Sequence, residues 1–216
     1  MKRNLKETFA RLVLLFAGLI IAHLGVTLFL LTELGADPFN VFVQGLFRTL
    51  HGFMGNLTHG YTHITVCIMI ILLLLIVDRS YIKIGTLVCM AFGGPIIDFF
   101  TLLLQGTIHS ESPFVLRLLS LAAGCVILAF GMTIVIKSDA GTGPNDLVAI
   151  VISDKLSRPF GPIRVAVDFC FTAIGFLLGG AVGLGTIISA FLVGPVAGLF
   201  LPHSEKIVDY FVKKLK

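Results

Sequence analysis

Charge is what this sequence has least of. Of 216 residues only 13% are Asp, Glu, Lys or Arg, against 56% hydrophobic, and the mean hydropathy is +1.02. A soluble domain needs roughly a quarter of its residues charged to cover its water-facing shell. A soluble globular fold is therefore excluded, and the solvent must be a lipid bilayer. Tryptophan is absent and only three Tyr stand beside 19 Phe, so any interfacial belt rests on tyrosine and on Lys and Arg flanks. Cys67, Cys89, Cys125 and Cys170 stand singly within apolar runs, at spacings that make neither a disulfide framework nor a thiolate metal site. They read as small buried hydrophobes.

Several chemistries are also missing. There is no nucleotide-binding loop, no Gly-x-Ser-x-Gly elbow and no pair of carboxylates at catalytic spacing, so nothing points to an enzyme and no cofactor is expected. His59 and His63 have helical ligand spacing, but both fall in a polar stretch without a third ligand, and no metal site is expected there. The net charge of +4 would suggest nucleic acid if it were clustered. Instead the basic residues gather at Lys2, Arg3, Lys6 and Arg11, in short connectors, and at Lys206, Lys213, Lys214 and Lys216. That is the pattern of cytoplasmic flanks, not of a nucleic-acid surface.

What is present is a duplication. Gly18, Gly25, Gly35 and Pro38 recur 106 positions later as Gly124, Gly131, Gly141 and Pro144. Further on, Gly85-Thr86, Gly94-Pro95 and Phe100 recur 100 positions later as Gly185-Thr186, Gly194-Pro195 and Phe200. The change of offset places a six-residue insertion in the first copy, near Gly52 to Gly60. One membrane domain over 1–216 is thus read as two repeats, about 10–105 and 115–202, an arrangement common among transporter folds.

Each repeat supplies three long apolar runs: Leu12 to Leu31, Ile64 to Val77 and Ile84 to Leu104, then Phe114 to Ile136, Val165 to Leu178 and Leu184 to Leu201. The first is long enough to span and lacks a small-residue cleavage site, so a retained helix is expected rather than a secretion signal. Between the runs, Pro38 to Leu50 and Pro144 to Ile152 would rise only about 20 Å and 14 Å, against roughly 30 Å of hydrocarbon. The expected fold is all-α, with six transmembrane helices and two short re-entrant or interfacial half-helices. With both termini cytoplasmic, 14 of the 16 basic residues fall inside, leaving Arg48 and Arg117 outside. Three spans per copy is odd, which makes the repeat inverted.

The candidate binding residues lie at the two breaks. Gly35-Ala36-Asp37-Pro38-Phe39-Asn40 and Gly141-Thr142-Gly143-Pro144-Asn145-Asp146 each end an apolar helix and begin another. Glycine permits the reversal, Asp37 suits an N-cap, and proline suits a first helical position. Two readings stand: a pair of helix N-termini inside the membrane that bind an anionic group, or capped loops at the interface. Asn40, Gln44 and Arg48 form one polar stripe, and Asp146, Ile150 and Asp154 occupy the matching positions. Substrate-binding candidates are Asp37, Pro38, Asn40, Gln44, Gly143, Pro144, Asn145 and Asp146. Candidates for ion coupling are the deeper charges, Asp98, Arg164 and Asp168, although Arg164 and Asp168 are also spaced to neutralise each other across one turn.

The run Gly143-Pro144-Asn145-Asp146, then Arg158-Pro159-Phe160-Gly161-Pro162-Ile163-Arg164, then Gly179-Gly180, Gly183-Leu184-Gly185-Thr186 and Gly194-Pro195 resembles the YczE/YyaS/YitT group of bacterial integral membrane proteins. Phe39 and Asn40 stand where that group usually has Trp and Asp, and Asn145 where it commonly has a basic residue. The resemblance implies a multi-pass protein of a bacterial plasma membrane. Taken with the repeat, it leads to a small secondary transporter for an anionic or zwitterionic solute, with the bilayer and that solute as partners and a homodimer or a membrane partner subunit also open. The alternative is a non-transporting subunit or regulator that docks to another membrane complex.

Overall fold

The structure, a computed structural model, describes residues 5–52, 56–158 and 160–214. Lys2, Arg3, Pro159, Lys216 and part of the stretch from Gly52 to Gly60 lie outside them. The described residues contain helices and no strand. These are α1 (Leu5–Thr32), α2 (Pro38–His51), α3 (His59–Asp78), α4 (Ile84–Leu104), α5 (Phe114–Ser138), α6 (Pro144–Leu156), α7 (Phe160–Leu177), α8 (Leu184–Ile188) and α9 (Gly194–Lys214). A π-helical segment, Ser189–Val193, joins α8 to α9. By length and composition five segments among the described residues are able to cross a membrane: Leu5–Thr32, His59–Tyr81, Ile84–Leu104, Phe114–Ser138 and Leu184–Lys214.

The helices pack as a bilayer protein must. Large apolar side chains face outward, among them Leu72, Leu73 and Ile76 on α3, Leu102 and Leu103 on α4, and Leu119 on α5. The interior holds glycines and hydroxyls, with Thr27, Thr32, Thr86, Thr133, Ser138 and Ser204 fully buried. Lipid offers hydrocarbon helices no reason to associate, so close backbone approach and hydrogen bonds carry the packing instead.

The central contact is α1 against α5. A Cβ on Gly25 would lie 2.5 Å from the Leu128 amide nitrogen and 2.6 Å from the Gly124 carbonyl oxygen. A Cβ on Gly18 would lie 2.9 Å from the Gly131 carbonyl oxygen. Gly18 meets Gly131 while Gly25 meets Gly124, so the helices run antiparallel. Each contact also recurs with its two partners exchanged. Arg11 donates to the Ser138 carbonyl at 3.0 Å, and Arg117, 106 positions on, donates to the Thr32 carbonyl at 2.7 Å. The Gly85 amide donates to Ala140 O at 3.0 Å, and the Gly185 amide to Leu34 O at 2.8 Å. At the helix ends Glu33 and Asp139 have φ of 49° and 52°, and the following Gly35 and Gly141 have 113° and 150°. Those angles suit glycine, so both reversals use the same pair of left-handed positions.

Several boundaries differ from the sequence reading, and α1 and α7 begin at Leu5 and Phe160, ahead of Leu12 and Val165. Helix α3 begins at His59, one turn before the apolar run, because Thr58 caps it with a hydroxyl that accepts the Tyr61 amide at 3.1 Å. His59 and His63 therefore lie on a helix rather than in a polar connector. Helix α6 extends to Leu156, making 13 residues, and the last helix continues past Leu201 to Lys214. That tail remains helical because Ser204, Val208 and Val212 are buried and Lys137 reaches Glu205 at 2.8 Å. Proline does not break α4 at Pro95, and the irregularity in the last span is the π segment just before Gly194. Cys67, Cys89 and Cys125 are buried as expected, whereas Cys170 is exposed on α7.

The α1/α5 approach yields a direct expectation. Gly25→Ala destabilises the protein by about 1–3 kcal/mol through overpacking against backbone. Gly106→Ala, where a Cβ meets nothing within 4 Å, is silent by comparison. Unfolding of the purified protein in mixed micelles as detergent composition is varied measures both.

Candidate functional site

The two short helices bring their first turns onto α7. At the start of α2, Asp37 is the N-cap: its carboxylate accepts the Asn40 amide at 3.3 Å and the Asn40 side-chain NH2 at 2.9 Å. Pro38 takes the first helical position, where its missing donor costs nothing. At the start of α6, Gly143 is the N-cap, Pro144 again comes first, and no side chain caps the helix. Asn145 donates to Asp146 at 3.2 Å.

Arg164, on the second turn of α7, ties the α6 start to α7. Its Nε donates to Asp168 at 3.0 Å and its Nη1 to Asp146. All three side chains are partly buried, at 29%, 27% and 22% exposure respectively. Asp37 lies within electrostatic range of both Arg164 and Asp168. The cluster thus holds three carboxylates and one guanidinium, drawn from α2, α6 and α7. Arg164 and Asp168 do pair across one turn, as their spacing allows, but the guanidinium also bridges to the α6 start.

Other candidates are placed elsewhere. Gln44 accepts the Ala181 amide at 2.8 Å, and Arg48 donates to the Gly179 carbonyl at 2.9 Å. The stripe Asn40, Gln44, Arg48 therefore fastens α2 to the α7–α8 connector, with only Asn40 at the cluster. Asp98 accepts the Thr58 hydroxyl at 2.6 Å and the Gly60 amide at 2.9 Å, which holds the first turn of α3 against α4. In the second half Asp154 accepts the Tyr81 hydroxyl at 2.9 Å. A cleft of about 330 Å³ lined by Thr8, Arg11, Lys83 and Asp139 lies away from the cluster, between α1, the α3–α4 connector and the end of α5. Its cations are engaged, Arg11 with Glu7 and Lys83 with Asp139.

Sequence reasoning passed over His23, and it weighed His59 and His63 only as metal ligands. His59 Nε2 lies 3.4 Å from Asn40 Oδ1, and His63 packs its ring on Phe39 and on His23. The available signal was His23 itself, an ionisable residue midway along an apolar run. No group of three or more His, Cys, Asp or Glu able to hold a metal ion occurs among the described residues.

Several helices long and apolar enough to cross a membrane, with large apolar side chains turned outward, define a helical membrane protein. Residues 9–202 match the model of a family of unknown function, DUF6198, and the chain belongs to that family. It is similar to the uncharacterized membrane protein YczE of Bacillus subtilis, 28% identical over 210 residues, covering 97% of this chain and 94% of YczE. It is also similar to the uncharacterized protein YyaS of the same organism, 24% identical over 88% of this chain and 91% of YyaS. An uncharacterized protein of Haemophilus influenzae is 26% identical over 88% of this chain and 82% of its own length. No solved structure matches.

The charge arrangement sets an expectation for stability. Arg164→Gln leaves Asp146 and Asp168 without a counter-charge and destabilises by about 2–3 kcal/mol, somewhat below a fully buried pair because the groups are partly exposed. Adding Asp146→Asn and Asp168→Asn restores most of the loss, as measured by the same micelle unfolding.

Proposed function

We propose that the chain is a small secondary transporter of the bacterial plasma membrane that moves a zwitterionic small molecule. The observation carrying this reading is the Asp146–Arg164–Asp168 group that binds the α6 start to α7, with the α2 start packed on the same helix through Phe39 and Phe171 and Asp37 within electrostatic range. In this reading α7, 18 residues long, is a sixth span, since it would rise about 27 Å. Helices α2 and α6 are re-entrant, at 14 and 13 residues, or about 20 Å each. Both termini are cytoplasmic, and neither enzymatic turnover nor a cofactor is involved.

The halves relate by a pseudo-two-fold axis in the membrane plane. Support comes from the contacts that recur with partners exchanged, Arg11 to Ser138 with Arg117 to Thr32, and Gly85 to Ala140 with Gly185 to Leu34. Inverted repeats of this kind place a site between the halves and rock one against the other. Of the anionic and zwitterionic classes, the second is favoured because three carboxylates outnumber one guanidinium. The uncapped positive end of α6 and Arg164 receive the solute's negative group. Asp37 and Asp168 receive its cationic group.

Purified protein reconstituted alone into vesicles tests this. Uptake of one or more labelled amino-acid-like zwitterions is expected, with Asp37→Asn lowering it at least tenfold. A water-soluble thiol reagent is expected to label single cysteines at 36–48 and 142–153 from opposite sides, less so with solute present. Labelling that places both segments on the membrane surface overturns the reading. Copurification with an energised partner, without uptake by the lone protein, would favour a docking subunit instead.

A further inference from the structure

The interior holds one group of titratable side chains that the site above leaves unused. His23 lies midway along α1 and His63 on the second turn of α3, with ring centroids 5.6 Å apart in an edge-to-face arrangement. Both Nε2 atoms converge on one place on α4. A Cβ built on Gly93 would lie 2.9 Å from Nε2 of His23 and 3.0 Å from Nε2 of His63. The two nitrogens are therefore no more than about 6 Å apart, a gap that a single bridging water can span.

Their neighbours fix where the hydrogens sit. Nδ1 of His23 lies 2.9 Å from the Leu19 carbonyl oxygen. A carbonyl can only accept, so Nδ1 carries the hydrogen and Nε2 of neutral His23 is a lone pair. His63 is 6% exposed, and its Nδ1 is buried without a hydrogen-bond partner. An orphaned N–H is rarer and costlier than an orphaned lone pair, so the hydrogen of His63 is on Nε2. The pair is a donor facing an acceptor, and the orphaned Nδ1 of His63 is a free proton acceptor; among the described residues the Thr86 hydroxyl is the one other buried side-chain polar atom without a partner.

We propose that His23 and His63 form a proton-binding site inside the membrane, in which one proton enters at Nδ1 of His63 and comes to rest on Nε2 of His23. Uptake at Nδ1 makes His63 a cation, which gives its Nε2 proton to the His23 lone pair through one bridging water. His63 ends neutral with its hydrogen on Nδ1. His23 ends as the imidazolium, its Nδ1–H on the Leu19 carbonyl and its Nε2–H facing the emptied Nε2 of His63. The balance is one proton gained, and the reverse sequence releases it.

The surroundings limit the site to a single charge. Among the described residues no carboxylate hydrogen-bonds to either ring. On α3 the titratable neighbours are His59 and Cys67, one turn to either side of His63, and on α4 Cys89, one turn from Gly93. On α2, Asp37 is reached only through Asn40 and His59, and Asp98 on α4 is committed to Thr58 and Gly60. A second cation 5.6 Å from the first would face repulsion in a medium of low dielectric. The proposal does not require that the protein carry a solute.

Nitrogen NMR of histidine-labelled protein in lipid nanodiscs tests it, with His23→Gln and His63→Gln assigning two of the six rings. At alkaline pH the expected tautomers are Nδ1–H for His23 and Nε2–H for His63, a reading that needs only the unaltered chain. Acidification is expected to produce one imidazolium per pair, and removing either ring to lower the midpoint of the other by at least about one pH unit, because a charge-assisted hydrogen bond is lost. The proposal is overturned by identical tautomers on both rings, by two imidazoliums or none down to pH 4, or by a midpoint that stays put or rises. Uptake in vesicles is a separate measurement, so failure of one leaves the other standing.

Discussion

A backbone that breaks a helix in a protein interior must find partners for the amides and carbonyls it frees, and this fold is arranged around that need. A buried group left unpaired would cost up to several kcal/mol. The two breaks satisfy one another's halves. Leu34 O, at the first reversal, accepts the Gly185 amide, and Ala140 O, at the second, accepts the Gly85 amide. The last carbonyls of α1 and α5 take the guanidiniums of Arg117 and Arg11. Neither half could close its own breaks alone, so one half is not a smaller version of the whole.

The same need explains which charges stand at depth. Arg164 bridges the α7 carboxylate Asp168 and the α6 carboxylate Asp146, while Asp37 spends its oxygens on Asn40. Asp98 is spent on the first turn of α3. Charge in low dielectric is tolerated where each lone pair has a donor, and a group retained beyond that requirement points to use. By that criterion the two unpartnered atoms, Nδ1 of His63 and Oγ1 of Thr86, stand apart from the remaining polar interior among the described residues.

Much of this was legible in the sequence, and the failures share a cause. Helix α4 runs from Ile84 to Leu104 as its hydropathy indicates, and the glycines at offset 106 are those in contact across α1 and α5. Hydropathy reports the face that meets lipid. It therefore missed the start of α3, set by the Thr58 cap, and the tail of α9, held by Ser204 and Val208. The stripe on α2 was visible by period, but its destination was not. Gln44 binds an amide 137 residues away and Arg48 a carbonyl 131 residues away, and no local pattern encodes those partners. The histidines were visible as residues, yet their meeting at Gly93 depends on the packing of three helices.

The π segment Ser189–Val193 changes the angular phase of the last helix. A π turn inserts about one residue, which rotates everything beyond it by about 100° relative to a regular helix. Its counterpart, α4, passes through Gly94-Pro95 without such a turn and delivers Asp98 onto the start of α3. Beyond the π turn, Gly198 faces open space, while Ser204 meets Thr133 at 2.7 Å. Two stretches of similar sequence thus present different azimuths to their neighbours although neither carries an extra residue, since Gly85 and Gly185, like Gly94 and Gly194, stand 100 positions apart; a local change of winding alone is enough to give them different partners.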